Sequence, residues 1–253
     1  MQQPPFEVDS PPMRTGVRTV AITGASGSLG RELLRCWHRR GAALVALSHG
    51  DRPLQLSDAD GQPIPLRQVR WQVGREVELE GLLRQVDVLV HNHGVNVHAA
   101  RDAAAVERSL EVNALSAWRL MELYAAVAPR SADGPKPELW LNTSEAEIQP
   151  AFSPLYEISK RLAGQLLSLR ALDLGGPDGP LRLRRLVLGP FRSELNPHGP
   201  MAPGWVAAAI LWQAELGLDL IIVTINPLVV VVMPLAALAR RLYLGLFSRS
   251  PDR

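Results

Sequence analysis

The stretch Val20–Gly30, VAITGASGSLG, decides the fold. It leads from a short apolar segment into a turn with three glycines, Gly24, Gly27 and Gly30, and then into a segment of helical periodicity. Glycines at such a turn let the backbone bend tightly and approach a pyrophosphate, whose charge is favoured by the free N–H groups of the following helix. A tight turn without a ligand is the alternative, but the strand–turn–helix context favours a nucleotide site.

Outward from this turn, short apolar segments alternate with longer helical ones, which is typical of a parallel sheet covered by helices. We therefore predict an α/β fold with a doubly wound parallel sheet in three α/β/α layers, within a single domain. The predicted strands are Arg18–Thr23, Ala43–Ser48, Val86–His91, Glu138–Asn142, Arg182–Leu188 and Asp219–Ile225. The predicted helices are Gly30–Arg40, Arg75–Arg84, Ala103–Val127, Ser153–Leu172 and Trp205–Leu216, and the insert His49–Pro65 is predicted to be a loop.

The composition fits one globular domain within 253 residues, 47% of them hydrophobic. We expect a flexible arm over residues 1–16, the main domain over 17–225 and an apolar C-terminal helix within 226–253. The 27 basic residues are scattered among 25 acidic ones, so no nucleic acid partner is expected. A single cysteine, Cys36, fits a reducing, cytoplasmic compartment.

A second signal is the pair Tyr156 and Lys160 in the segment YEISK. A spacing of four residues places both side chains on one face of a helix, for which Ser153 is a candidate N-cap. An ammonium group beside a phenol stabilises the phenolate and lowers its pKa, which yields an acid/base that works near neutral pH. Taken alone, the pair is more simply explained as two exposed surface residues.

Six motifs in order make the sequence resemble the short-chain dehydrogenase/reductase family, whose nucleotide-binding domain has a Rossmann fold. They are TGASGSLG, HNHG at His91–Gly94, Asn113 in EVNALSAWRL, NTS at Asn142–Ser144, YEISK and GPF at Gly189–Phe191. The resemblance covers the chain from Val17 to Ile225. Two motifs depart from the family: His93 stands where an alanine is usual, and GPF reverses the usual Pro-Gly order.

The resemblance implies a catalytic role for four residues. Tyr156 exchanges a proton with the substrate oxygen, Lys160 lowers the pKa of Tyr156 and holds the nicotinamide ribose, and Asn113 completes a proton relay. Ser144 orients the substrate carbonyl, with Thr143 as the reserve because it stands thirteen residues before the tyrosine. Glu145, the next residue along, cannot replace a hydroxyl.

The resemblance also implies a nicotinamide cofactor. Its binding residues would be Gly24, Ser26, Gly27, Ser28, Leu29, Gly30, Arg31, Ser48, Asn92, Gly94, Tyr156, Lys160, Gly189, Pro190 and Ser193. No carboxylate directly follows the second strand, where an NAD-binding protein usually has one. Arg31 and Arg52 could instead neutralise a 2′-phosphate. We therefore expect NADP(H). NAD(H) is less favoured but stays open, because Asp51 is close in sequence and could bind the ribose hydroxyls.

A metal site is not expected. His91, His93 and His98 lie within eight residues, but no thiol or carboxylate accompanies them, and two of them belong to the HNHG motif.

The C-terminal segment is unusually apolar, since Leu220–Ala239 contains no charge. We expect its first part to be the last strand and Leu228–Ala239 to be an apolar helix too short to span a bilayer. That helix would pack against the domain or a partner subunit, or lie on a membrane surface. The segments NTSEAEIQPAFSPLYEISK and VTINPL are loosely similar to a cyanobacterial-type group described as bifunctional sterol desaturase/short-chain dehydrogenase, of which only the dehydrogenase part could apply.

The predicted function is an NADP(H)-dependent oxidoreductase that interconverts a carbonyl and an alcohol on a small, apolar substrate. We expect a homo-oligomer in the cytoplasm, peripheral to a membrane if the C-terminal segment touches one. Two alternatives stay open. One is a nucleotide-sensing scaffold without catalysis, and the other is an epimerase or dehydratase that recycles its cofactor.

Overall fold

The computed structural model describes residues 16–130 and 134–248. The predicted N-terminal arm therefore lies outside the described residues, apart from Gly16. The strands are β1 Thr19–Thr23, β2 Ala43–Ser48, β3 Arg67–Arg70, β4 Val88–His91, β5 Glu138–Ser144, β6 Arg182–Leu188 and β7 Leu220–Val223. The helices are α1 Ser28–His38, α2 Glu80–Leu83, α3 Ala103–Leu110, α4 Ser116–Val127, α5 Pro154–Leu174, α6 Pro203–Glu215 and α7 Pro227–Phe247.

The seven strands form one parallel sheet in the order β3-β2-β1-β4-β5-β6-β7. The predicted α/β fold with a doubly wound parallel sheet is thus confirmed. The central strands are buried on both faces, which explains their uninterrupted apolar sequences. The order reverses between β1 and β4, and ligands in such sheets bind at the carboxyl ends of the strands beside this point.

Two apolar layers cover the sheet. On one face, Leu33 of α1 and Ile210 of α6 pack against Ile22. On the other face, Leu120 of α4 and Leu167 of α5 belong to the second layer. Val229 and Met233 of α7 pack beside α5 against Val187, which covers the β6–β7 edge of the sheet. Together the helices complete the three expected layers.

Three differences from the predicted elements stand out. The strand β3 was not predicted, and it pairs with β2 at the edge of the sheet. The predicted helix Ala103–Val127 is interrupted by a π-helical turn at Glu111–Leu115. The C-terminal helix is longer than predicted, since α7 begins at Pro227, where Asn226 caps it through the Leu228 N–H, and continues past Arg240 and Arg241 to Phe247.

Candidate active site

The glycine turn joins β1 to α1 at the carboxyl edge of the sheet. Gly24 has a φ of +61°, and a Cβ there would lie 2.8 Å from the His93 Cα atom. A Cβ on Gly30 would lie 2.8 Å from the Ala25 Cα atom and overlap the Gly24 carbonyl oxygen. Gly27 caps α1 without a side-chain hydrogen bond, so no side chain of the cap occupies the N–H groups of the first turn. These features fit the pyrophosphate of a dinucleotide.

The turn opens onto a cleft of about 620 Å³ along the carboxyl ends of the strands. Most of the predicted cofactor residues line this cleft: Gly24, Ser26, Gly27, Ser28, Leu29, Asn92, Gly94, Tyr156, Lys160, Gly189, Pro190 and Ser193. The Asn92 side chain donates a hydrogen bond to the Gly24 carbonyl oxygen and accepts one from Asn142. The glycine turn and the ends of β4 and β5 are thereby joined in one polar wall.

Three predicted cofactor residues are not among those that line the cleft. Gly30 lies beneath the glycine turn, where its missing Cβ allows α1 to approach. Arg31 donates a hydrogen bond from Nε to the Ser26 carbonyl oxygen at 3.0 Å. Ser48 is buried and accepts a hydrogen bond from Gln68 of β3 at 3.1 Å. Their contribution in the free protein is therefore to shape the turn and the tip of β2.

Tyr156 and Ser144 face each other inside the cleft. The Ser144 side chain lies close enough to the Tyr156 hydroxyl to lower the Tyr156 pKa, and both residues line the cavity. Thr143, the reserve candidate, also borders the cleft, but its side chain points to the opposite face of the strand from Ser144, because neighbouring strand residues alternate. Its hydroxyl donates a hydrogen bond to the Leu186 carbonyl oxygen at 3.2 Å. The structure therefore pairs Tyr156 with Ser144.

Lys160 lies one helical turn after Tyr156, with its Nζ atom 5.8 Å from the centre of the Tyr156 ring. The ammonium group donates a hydrogen bond to the Asn142 carbonyl oxygen at 3.0 Å. Burial raises the pKa of Tyr156, whereas the Ser144 side chain lowers it. Burial of the phenol is the larger effect in the free protein, and the lowering of the Tyr156 pKa by Lys160 stays a prediction.

Lys160 itself is strongly influenced by burial, which lowers its pKa to about 8. The Glu147 carboxylate acts in the opposite direction on Lys160. Glu147 lies beside Arg185, with 3.7 Å between Oε2 and Nη1, and fills the space that a Cβ on Gly164 would need. The structure thus adds Glu147, which the sequence analysis did not identify, to the surroundings of Lys160.

Asn113 lies in the π-helical turn and is fully buried. Its Nδ2 atom donates to the Val95 carbonyl oxygen and to Ser159 Oγ, both at 2.9 Å, and its Oδ1 atom accepts from the Val95 N–H at 2.8 Å. Asn113 is therefore not among the residues that line the cleft. In this state it fixes the segment after β4, and Gly94 lies between it and Lys160.

Glu145 is a cleft residue whose importance the sequence analysis missed. Its Oε2 atom accepts a hydrogen bond from Thr224 Oγ1 at 2.6 Å, and a Cβ on Gly189 would lie 2.9 Å from the same oxygen. The carboxylate raises the pKa of Tyr156, after the larger effect of burial. The signal was present in the sequence as an acidic residue directly after Ser144.

The tip of β2 is basic at its surface. His49 lines the cleft, and Asp51 forms an ion pair with Arg70 at 2.6 Å. The Arg52 carbonyl oxygen accepts a hydrogen bond from Gln68, and the side chain of Arg52 is exposed. The nearest acidic residue after β2 is thus already paired with an arginine.

His91 is buried, and His93 is half-buried where it lines the cleft. Burial lowers the pKa of both, in the case of His93 to about 3. His93 is hydrogen-bonded to Thr23 Oγ1 at 2.9 Å and to Ser116 Oγ at 3.2 Å. Within residues 16–130 and 134–248, no three histidine, cysteine or acidic side chains are grouped as metal ligands would be.

Comparison with known proteins identifies related sequences and folds. Residues 20–151 match the model of the NAD dependent epimerase/dehydratase family. The chain is 42% identical over 232 residues to a monoglucosyldiacylglycerol epimerase from Synechocystis sp., and the match covers 92% of this chain and 55% of that protein. The chain therefore spans about half the length of this curated relative.

Solved structures share the fold at low sequence identity. A short-chain dehydrogenase from Sphingobium yanoikuyae in complex with NADPH has a TM-score of 0.70 and 19% identity, over 93% of this chain and 98% of that one. A bulky-bulky ketone specific alcohol dehydrogenase from Comamonas testosteroni has a TM-score of 0.71 and 21% identity, over 94% and 97% of the two chains. These likenesses show that the fold is that of the short-chain dehydrogenases.

Proposed function

Because the chain belongs to the NAD dependent epimerase/dehydratase family, we propose that it is an enzyme that inverts a hydroxyl-bearing carbon of a lipid-linked sugar, using NADP(H). The chain is an enzyme of the NAD(P)-dependent dehydrogenase/epimerase superfamily. The observation that carries the proposal is the placement of Tyr156 beside Ser144 inside the cleft, with Lys160 one helical turn further on. The choice of a lipid-linked sugar rests on the similarity to the Synechocystis epimerase.

The residues that would hold the cofactor are those of the glycine turn and of the cleft walls. The first turn of α1 offers its N–H groups to the pyrophosphate, and Gly24, Gly27 and Gly94 line the cleft beside it. Asn92, Lys160 and Gly189 also line the cleft. When bound, the nicotinamide supplies a reversible acceptor of one hydride.

Tyr156 and Ser144 handle the substrate oxygen in this proposal. If the bound nicotinamide takes the hydride from the carbinol carbon, Tyr156 in its phenolate form would take the hydroxyl proton, which would leave a ketone on the sugar. Ser144 donates a hydrogen bond to the same substrate oxygen. In the return step the ketone presents its other face, regains a hydride and takes the proton back from Tyr156. The atoms balance, and no net oxidant is consumed.

Glu145 is the residue that we assign to the sugar. Its carboxylate is in the cleft beside Ser144 and is held by Thr224. A carboxylate accepts hydrogen bonds from hydroxyl groups, and such charge-assisted bonds are stronger than neutral ones. A polyol with a second hydroxyl beside the reacting carbon would use this acceptor, whereas a simple ketone has no donor for it.

The stoichiometry of the cofactor distinguishes epimerisation from carbonyl reduction, the function first indicated by the sequence. The test incubates the protein with a monoglucosyl lipid and a small, fixed amount of NADP⁺, and follows the sugar composition and the absorbance of NADPH. Epimerisation predicts many turnovers per cofactor with no net change in NADPH. Consumption of one NADPH per product, on a ketone substrate, would show a reductase instead.

A further inference from the structure

The C-terminal helix α7 is attached to the domain along one narrow stripe. Val229, Met233 and Leu244 are buried. The first two lie in the first two turns of the helix and the third lies near its end. Val229 and Met233 pack against Val187 at the β6–β7 edge, beside α5. The helix therefore lies along the domain over nearly its full length of 21 residues.

The opposite side of α7 is apolar and exposed. Val231, Leu235, Leu238 and Leu242 follow one another at helical spacing, and each exposes more than half of its side chain. The exposed set extends to both flanks and also includes Leu228, Val230, Val232, Tyr243, Leu246 and Phe247. The charged residues of the helix are Arg240, which stacks over the Tyr243 ring, and Arg241. A surface helix of a water-soluble domain usually carries polar residues in these positions.

The beginning of α7 is joined to the wall of the cleft. The Asn226 side chain donates a hydrogen bond to Gln149 Oε1 at 2.7 Å, and Gln149 lines the cleft. Three residues further on, Phe152 lines the cleft and is fully exposed. The exposed Ile225 and Leu228 lie on either side of Asn226 in the chain. Apolar side chains therefore lie at the cleft and at the start of the helix.

The breadth of this face identifies what covers it. A seam between two helices needs one apolar row with polar residues on its flanks. Here the flanks are apolar as well, at Val230, Val232 and Leu246, which favours a lipid environment over a second copy of the chain. By length and composition α7 could also cross a membrane. Its buried contacts at both ends hold it along the domain, which favours a position in the plane of the membrane surface.

We propose that the outer face of α7 is a membrane-binding surface. It lies in the surface of a lipid bilayer and turns the cleft toward the bilayer. A lipid-linked sugar would then reach Tyr156 from the membrane without passing through water. The delivery of a lipid-linked sugar to Tyr156 rests on the proposed function, whereas the binding of α7 to the membrane does not.

The experiment is flotation of the purified chain with phosphatidylcholine vesicles, with and without an anionic lipid. We expect the wild-type chain to float with both and the variant Leu235→Ser/Leu238→Ser/Leu242→Ser to bind at least about tenfold more weakly. A matched control replaces three exposed apolar residues away from α7, as Val77→Ser/Trp212→Ser/Leu216→Ser, and should float like the wild type. Fluorescence titration with NADPH checks that both variants are folded.

Vesicle binding requires no substrate, so its result is independent of the proposed epimerisation. The proposal is overturned if the folded wild-type chain does not bind vesicles, or if the α7 variant binds as well as the control. A different outcome is that the wild-type chain does not bind vesicles and sediments as a dimer, whereas the α7 variant sediments as a monomer. This would show that a second copy of the chain covers the face. That result also overturns the proposal that α7 binds a membrane.

Discussion

Lys160 is a buried cation. Burial lowers its pKa, and the Glu147 carboxylate raises it. Lys160 carries its proton below about pH 8 and loses it above, because burial disfavours the ammonium form. Glu147 counteracts this effect from behind the helix, where Gly164 leaves space for its side chain. The protonation of Lys160 near neutral pH is thus set by residues outside the YEISK motif.

We expect Glu147→Gln to move the alkaline limb of the activity profile about one pH unit lower. Removing the negative charge takes away the interaction that favours protonated Lys160, so the lysine loses its proton at a lower pH. The measurement is kcat/KM as a function of pH, with Glu78→Gln, an exposed carboxylate paired with Arg75, as the control. An unchanged limb in a folded Glu147→Gln variant would show that Glu147 does not tune Lys160.

A second expectation concerns Glu145→Gln, which keeps the shape of the side chain and removes its charge. We expect KM for a sugar substrate to rise roughly tenfold, since a hydrogen bond to a charged acceptor is replaced by a neutral one. Thr224→Val is the companion variant, because it removes the hydroxyl that holds Glu145 and leaves the charge. An equal loss on a sugar and on a simple ketone would contradict a role for Glu145 in sugar binding.

At this scale, the sequence identified most of the residues that the structure brings together in the cleft, but not the orientation of their side chains. Counting residues left Ser144 and Thr143 open, because the count depends on how the chain bends after β5. The strand decides it, since it turns Ser144 toward Tyr156 and Thr143 toward Leu186. Glu147 could not be inferred, because its neighbours Gly164 and Arg185 are far from it in the sequence.

At the scale of elements, the glycine turn between β1 and α1 tolerates added side-chain atoms poorly. We expect Gly30→Ala to destabilise the protein by about 1–3 kcal/mol and to weaken NADPH binding, because the added Cβ would meet Ala25 and the Gly24 carbonyl. Thermal unfolding and cofactor titration measure both effects. Gly81→Ala in α2 is the control, since a Cβ there has nothing within 4 Å and alanine favours a helix. Equal stability of the two variants would contradict this tight packing.

The elements that the sequence missed have physical explanations. The sequence of strand β3 is RQVR, and only its valine favours a strand. The strand is half-buried at the edge of the sheet, so its apolar and polar residues do not alternate clearly. Its stability comes from pairing with β2, which is distant in the chain. The helix α7 was predicted too short because the two arginines after Ala239 interrupt the apolar run. The helix continues through them to Phe247, and Arg240 lies over the Tyr243 ring.

At the scale of the whole molecule, the surface at the tip of β2 should select the cofactor. We expect the wild-type chain to bind NADPH more tightly than NADH, because Asp51 is paired with Arg70 and Arg52 is exposed. The variant Arg31→Ala/Arg52→Ala should lower the ratio of the two affinities about tenfold. Arg75→Ala, at another exposed site, is the control. A wild-type preference for NADH would refute this assignment.

The central claim is that one cleft uses Tyr156 to move a proton on and off a substrate oxygen. The most direct measurement compares the wild type with Tyr156→Phe, by NADPH titration and by conversion of a glucosyl lipid to its epimer. We expect unchanged NADPH affinity and a loss of conversion of at least about a hundredfold, because phenylalanine fills the space but carries no proton. Conversion by Tyr156→Phe at the wild-type rate, with the cofactor bound, would contradict the account.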